Sequence, residues 1–469
     1  MLQTLKNAWN TKEIRSKILF TLMILLIYRI GTVIPVPFVE ANNFAGTFSG
    51  TILDQMNILS GGSLGTATLF ALGVSPYINS SIIIQLLAVV FPRLGEIAKE
   101  DKSKMNFITR VVTVILAVVT AIGYYFLLRN NGALTNAATP DEGSAWWFYG
   151  IVIVACYCAG ASIIMWLGER INEKGIGNGI SMILFANIVA AVPSFVINLF
   201  GMAFDTYTYP DLAWLYGIGS TLFAVVLVVF LIALIGFVIF VTGSERRIPI
   251  QYAKKVVGRK MYGGQNTHLP IKLNMTGVMP VIFASSIVSF VPTILQILES
   301  AKIITEEKTP FWYNFADVIG AEGVVYPIAL FVLIIGFAYF YTQITFDPIE
   351  VANNLKKNGG AIPGIRQGRP TSEYIKKILN KITLAGALFL SFIAILPTIL
   401  GPHVFRPLLT VIYDGAQMAE GYAEYYASQL AGVLTFGGTT ILIVVGVAIE
   451  TFRELEAQLT MRNYKGFLN

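Results

Sequence analysis

The chain has 469 residues, of which 55% are hydrophobic and 13% charged. Those proportions exclude a string of soluble domains and describe a polytopic membrane protein. The net charge of +6 is spread over loops rather than gathered in a groove, which argues against a nucleic-acid surface.

An α-helical span needs about 20 predominantly apolar residues. Ten stretches qualify in chain order, 18–37, 73–92, 111–128, 146–168, 178–204, 213–242, 274–297, 324–345, 382–402 and 430–449. They predict an all-α transmembrane bundle. Lys and Arg alternate between loops: 28 fall in the N-terminal segment, the even-numbered loops and the tail, against 4 in the odd-numbered loops. Basic residues near span ends stay on the cytosolic side, so both termini and the even loops are expected in the cytosol. Asp and Glu show no such bias, with 13 on the basic side and 14 on the other. The first stretch, Ile18 to Val36, is longer than a signal-peptide core and lacks a small-residue cleavage site, so it reads as a retained anchor.

The interval from Gln55 to Pro92 carries no charge over 38 residues. It is too long for one span, and Gly61, Gly62, Gly65 and Gly73 break it too much for two. The surplus around Leu64 to Leu72 predicts a short re-entrant or interfacial helix on the outer side. Irregular backbone at membrane depth survives where it is buried in protein or lines a cavity, so the segment either borders a pore or lies on the headgroups. Cys156 and Cys158, two apart in the fourth span, point in different directions around a helix, which predicts packing rather than a disulfide or metal pair. Gly175-Ile-Gly177-Asn-Gly179 has no preceding strand and predicts a tight cytosolic turn rather than a phosphate loop.

Two cytosolic loops are long and basic. In 243–272, Arg247 to Tyr252 and Thr267 to Lys272 read as short strands, with Tyr262-Gly263-Gly264 as turn residues between them. In 347–381, Asn358 to Pro370 is a Gly/Pro-rich tip ahead of a helical pattern from Tyr374 to Leu379. Such loops serve as topology signals and anionic-lipid contacts, or as docking arms for a large partner, which their length and turn chemistry favour.

Ten spans divide into five and five, which forces a tandem repeat into opposite membrane orientations. Span two carries Pro76-Tyr-Ile78-Asn-Ser80-Ser81-Ile82 and span seven Pro280-Val-Ile282-Phe-Ala-Ser285-Ser286-Ile287, the same order of Pro, Ile, Ser-Ser and Ile with one extra residue. Corresponding Pro-interrupted helices in inverted halves mark a functional interface. Apart from Arg29, near the outer end of span one, no span has an Asp, Glu, Lys, Arg or His at its middle. Ion-coupled transporters commonly place one there. No phosphate loop or zinc-ligand spacing is present, and of the two histidines His268 falls in a cytosolic loop and His403 in an outer one.

These residues now meet a known pattern. Gly61-Gly62 with Phe70 to Leu86, Gly168 to Ser181, Arg247 to Ala253, Pro363 to Arg366 and Met461 to Phe467 resemble the bacterial SecY family, channel subunits of the general preprotein translocase, over nearly the whole chain. The resemblance implies two inverted five-helix halves, 1–205 and 206–469, as a clamshell around an hourglass pore in the cytoplasmic membrane. It implies transport of unfolded secretory polypeptides and lateral release of membrane segments into lipid, without enzymatic activity, catalytic residues, metal or cofactor. The implied partners are SecE and SecG, the SecA ATPase, the ribosome, signal-sequence-bearing chains and lipid, with no nucleic-acid role beyond ribosome contact.

By carry-over, the pore ring comprises Ile78, Ile82, Ile180, Leu184, Ile282 and Ile443, Leu184 standing where the family usually has isoleucine. The i,i+4 pairs on spans two and five place their members on one face, and branched aliphatic side chains gate by dewetting. The plug is implied at Gly61, Gly62, Leu64, Leu69, Phe70 and Leu72. Spans two and three against seven and eight form the lateral gate, with Pro76, Gln85, Pro280, Ser285 and Ser286. Docking falls on Arg246, Arg247, Lys254, Lys255, Arg259, Arg366 and Arg369. Gln367 replaces an expected proline and is predicted to loosen the arm's tip. The competing readings are an ion-coupled secondary transporter with five-plus-five repeats, against which the charge-free span centres and the arms argue, and a membrane scaffold, which leaves the twin helices unexplained.

Overall fold

The computed structural model describes residues 2–40, 52–135, 146–204, 213–252, 255–257, 260–262, 266–300, 309–319, 325–400 and 438–465. The helices in chain order are α1 (Leu2–Asn10), α2 (Lys12–Gly31), α3 (Ile52–Leu59), α4 (Ser75–Val90), α5 (Pro92–Glu100), α6 (Lys102–Asn130), α7 (Trp146–Lys174) and α8 (Gly179–Phe204). After them come α9 (Ala213–Gly243), α10 (Met279–Ser300), α11 (Pro310–Ile319), α12 (Val325–Thr345), α13 (Pro348–Lys357), α14 (Arg369–Leu400) and α15 (Thr439–Lys465). The predicted spans coincide in order with α2, α4, α6, α7, α8, α9, α10, α12, α14 and α15; positions 430–437 of the last lie outside the described residues. By length and composition α6, α7, α8, α10, α12 and α14 can cross a membrane, with shorter apolar stretches at Ser75–Val90 and Val228–Gly243.

Helix starts follow the local chemistry. The Asp101 carboxylate accepts from the amides of Ser103 and Lys104 at 3.0 and 3.2 Å and so begins α6. Asn178 does the same for α8 through Ile180 at 3.1 Å. The Gly175–Gly179 run is a bend with Gly177 at φ 82. A Cβ on Gly179 would stand 1.9 Å from the Gly168 carbonyl oxygen, so only glycine lets α8 cross α7 this closely.

The twin prolines differ from expectation. Pro76 and Pro280 sit in the first turns of α4 and α10 and start these helices rather than interrupting them. The first turn has no intrahelical use for the missing N–H, and φ is preset. The kinship extends upstream: Gly73 (φ 57) and Gly277 (φ 65) each lead through a buried valine, Val74 and Val278, into the helix. Pro193 lies inside α8 and Pro292 inside α10.

The outer segment also differs. Its helix is α3, while residues 60–74 form a chain of turns with an isolated bridge from Thr68 to Pro35. No helix occupies Leu64 to Leu72, because Gly61, Gly62 and Gly73 all take positive φ and Ala67 sits at φ 48, outside right-handed helical space.

The two basic loops fold into one body. Strands β1 (Glu245–Tyr252) and β4 (Asn266–Lys272) pair antiparallel with Ile248 opposite Leu269, and between them β2 (Lys255–Val257) and β3 (Lys260–Tyr262) form an unpredicted second ladder. The proposed turn at Gly263-Gly264 lies outside the described residues. From the other loop, β5 (Gly360–Ala361) joins the free edge of β1, with Gln251 opposite Ala361. Ile248, Ile250 and Ile271 then pack with Leu355, Ile362, Ile375, Ile378, Leu379 and Ile382. The helical pattern at Tyr374 is part of α14, which runs unbroken from the arm into span nine. The end of α15 ties the cytosolic side together: Glu454 accepts from the Gly177 amide at 2.9 Å, and Arg453 donates to the Thr242 carbonyl at 2.9 Å.

Candidate functional site

The six implied ring residues belong to, or border, one large apolar cluster. Ile78, Ile82, Leu184, Ile282 and Ile443 are buried members of one apolar cluster contributed by α4, α8, α10 and α15, and half-buried Ile180 packs against it. Phe70, Tyr28 and Ile188 belong to the same cluster. All six are aliphatic, so none of them offers a group that could compensate a dehydrated ion.

Turns 60–74 are fastened to the N-terminal half. Tyr124 donates to the Leu64 carbonyl, Tyr157 to the Ala67 carbonyl at 3.2 Å, and the Leu69 amide to the Ile34 carbonyl at 2.9 Å. Glycines allow the approach: a Cβ on Gly160 would meet the Leu69 oxygen at 2.0 Å, and one on Gly31 the Phe70 ring at 2.0 Å. Leu64 is buried and Leu72 half-buried in a second cluster with α6 and α7, while Phe70 and Leu69 face the central one. Helix α3 touches α8 on one half and α10 on the other, and its Leu53 is buried in the second cluster. Thr293 of α10 lies 3.2 Å from Met56 Sδ, and Asn187 of α8 donates to the Leu59 carbonyl at 2.7 Å.

Along the seam, α10 packs against α4 and α6. Gln85 spans it: its oxygen accepts from Tyr341 of α12 at 2.5 Å, and its amide donates to Ser81 at 2.9 Å. Tyr341 and Phe283, which packs on it at 5.1 Å between ring centroids, carry no local pattern in the sequence that marks them as site residues. Pro76 is buried and Pro280 begins α10. Ser285 turns inward, donating to its own helix at the Ile282 carbonyl, 3.0 Å away, and Ser286 is half-buried.

On the arms, Arg246 and Arg366 are exposed and have no acidic partner among the described residues. Arg247 pairs with Glu245 at 2.7 Å and Arg369 with Glu373 at 2.9 Å. Lys255 lies on β2, and Lys254 and Arg259 fall outside the described residues. Gln367 does not loosen the tip. Its amide donates to the Gly360 carbonyl at 3.1 Å and so supplies a bond that proline could not make. Among the described residues no acidic, histidine or cysteine group is arranged to hold a metal, and Cys156 and Cys158 are unpaired thiols.

The fold is that of a polytopic helical membrane protein of two inverted halves with an apolar cluster to which helices of both contribute. Residues 68–452 match the SecY family profile. The chain is 40% identical, over 100% of both sequences, to the protein translocase subunit SecY of Streptomyces coelicolor. It belongs to the SecY family. Its fold is similar to a solved SecY structure whose plug domain is described as stabilising the closed state of the translocation channel and maintaining a membrane seal, with a TM-score of 0.58 at 18% identity over 94% of this chain and 92% of that one. It is also similar to Sec61 in the canine ribosome–channel complex of the endoplasmic reticulum, with a TM-score of 0.55 at 18% identity over 94% of this chain and 92% of that one.

Proposed function

We propose that this protein is the polypeptide-conducting subunit of a preprotein translocase in the cytoplasmic membrane. The observation that supports the reading is that six aliphatic residues from four helices of both halves lie in, or pack against, one buried apolar cluster. Residues 1–205 and 206–469 are the two leaves. The chain supplies a seal, a seam and docking arms, and a motor or ribosome supplies the work. The seam of α4 and α6 against α10 and α12 is the lateral gate. A signal-sequence helix entering it replaces the lost packing with its own apolar face and shifts the gate toward open. The plug comprises α3 and the implied turns from Gly61 to Leu72; the tyrosine bonds to the later turns support α3 as the part that moves, about Gly61-Gly62. SecE, SecG, SecA, the ribosome and signal-sequence-bearing chains are its partners.

The test is a photoreactive residue at Ile282 in vesicles holding an arrested, radiolabelled secretory chain. Adducts that need both signal sequence and energy source are expected; complete transport without any adduct would remove α10 from the pore. A second measurement addresses the seam. Tyr341→Phe deletes the bond to Gln85, about 0.5–1.5 kcal/mol. Marginally hydrophobic test segments are expected to enter lipid about two- to tenfold more often, and unchanged insertion would place the gate elsewhere.

A further inference from the structure

Arg29 is an ionisable residue within a span, and such residues call for a partner and a function. It lies near the outer end of α2, where its Nη1 is buried with no hydrogen-bond partner. The Oδ1 of Asn187 on α8, a fully buried residue, is likewise without a partner. These two atoms, one a donor and the other an acceptor, converge on one place: a Cβ on Gly61 would stand 2.8 Å from each. The other end of the same amide holds the plug, since Asn187 Nδ2 donates to the Leu59 carbonyl at 2.7 Å. Gly61 itself takes φ 69 and follows the last residue of α3 directly but for Ser60. The Tyr28 hydroxyl borders the amide as well, and it too has no hydrogen bond of normal geometry.

Two buried groups of complementary sense left unpaired are costly in a low-dielectric interior. They persist where the backbone of a third element stands between them. We propose that Arg29 and Asn187 form a two-position latch for α3. With the helix seated, Asn187 holds Leu59 and Nη1 of Arg29 is unpaired; with the helix displaced about Gly61-Gly62, Arg29 donates to Asn187 Oδ1 and replaces the bond that was lost. The latch rests on the reading of α3 as the plug, and it goes beyond it by assigning to two named side chains the balance between seated and displaced states. Glycine at 61 is part of the device, because a Cβ there would wedge against both groups. Arg29 and Asn187 are positioning residues: neither needs to touch the transported chain.

The latch makes predictions of opposite sign. Arg29→Leu removes the bond of the displaced state alone, so α3 stays seated more of the time. Asn187→Asp removes the donor to Leu59 and offers Arg29 a carboxylate, a charge-assisted pair, so α3 is displaced about tenfold more often or beyond. Seating is read by disulfide yield between Met56→Cys and Thr293→Cys, residues in contact when α3 is seated, in a background with Cys156→Ser and Cys158→Ser. Iodide efflux from vesicles of the intact complex is read in parallel. The expected result is a raised yield with low efflux for Arg29→Leu, a lowered yield with raised efflux for Asn187→Asp, and parent-like values for Arg29→Lys and Tyr28→Phe. If Arg29→Leu does not assemble, Arg29→Gln reads the same loss of charge. Loosening of α3 by both charge-removing and amide-altering variants would mean that Arg29 merely supports the structure and would overturn the latch, as would no change in either, or a change in Tyr28→Phe alone. Failure of the underlying reading looks different: oxidation of the cysteine pair in the otherwise unaltered protein would then leave polypeptide transport at full rate.

Discussion

Vesicles bearing Ile82→Asn together with Ile282→Asn are expected to conduct small ions in the resting state. Both isoleucines are nearly inaccessible, at 2% and 3% exposure, and they come from opposite leaves of the bundle. An amide buried there without a partner costs about 1–3 kcal/mol, and the cheapest relief is water in the constriction. Each site therefore favours the wet state by about 5- to 150-fold. Because a hydrophobic gate closes by excluding water, the effect on conductance is steep rather than proportional. Chloride or potassium current across a planar bilayer measures it. Parent-like current from a variant with parent-like helix content would show that these residues do not seal the pore.

Arg366→Glu is expected to stop motor-driven transport while leaving the protein folded. Arg366 stands exposed between Gly364 at φ 79 and Gly368 at φ 95, a tip whose shape the backbone fixes. Reversal removes no side-chain contact within the chain. Set against an acidic partner surface, the like charge costs several kcal/mol, which corresponds to a fall in transport of about a hundredfold or more. Arg369→Glu should do less, since its guanidinium is already engaged with Glu373 at 2.9 Å in a solvent-exposed pair. ATP-driven uptake of a secretory chain into inverted vesicles gives the comparison. Equal losses in the two variants would count against Arg366 as the principal contact.

The spans were legible because a helix must be long and apolar to cross lipid, and that constraint is written locally. Alternation of basic loops carried the orientation for the same reason. The six ring residues could be proposed by resemblance, yet nothing local in Ile443 distinguishes it from Ile441 or Val445, which share its cluster. The outer helix lies at Ile52–Leu59 rather than around Leu64 to Leu72, a shift the sequence does not show because the charge-free interval begins only at Gln55, inside that helix. Strands of two or three residues, such as β2, β3 and β5, are too short to show a period. The bond from Tyr341 to Gln85 joins residues 256 positions apart, and only folding brings them together. Gln367 was read for what it lacked, a proline ring, when its side chain had a carbonyl within reach.

The pairing of β5 with β1 changes what a push on the arms can do. A loop that swung freely would absorb force by bending, and a partner engaging Arg366 would move only a tip. Here that tip is hydrogen-bonded through Gly360 and Ala361 to the strand leaving α9, and its far side continues without a break into α14. Load applied at one arm is therefore shared at once by the other and carried along stiff helices into the membrane. The cytosolic body is thus one packed unit continuous with α9 and α14, so a push on either arm is expected to move both together.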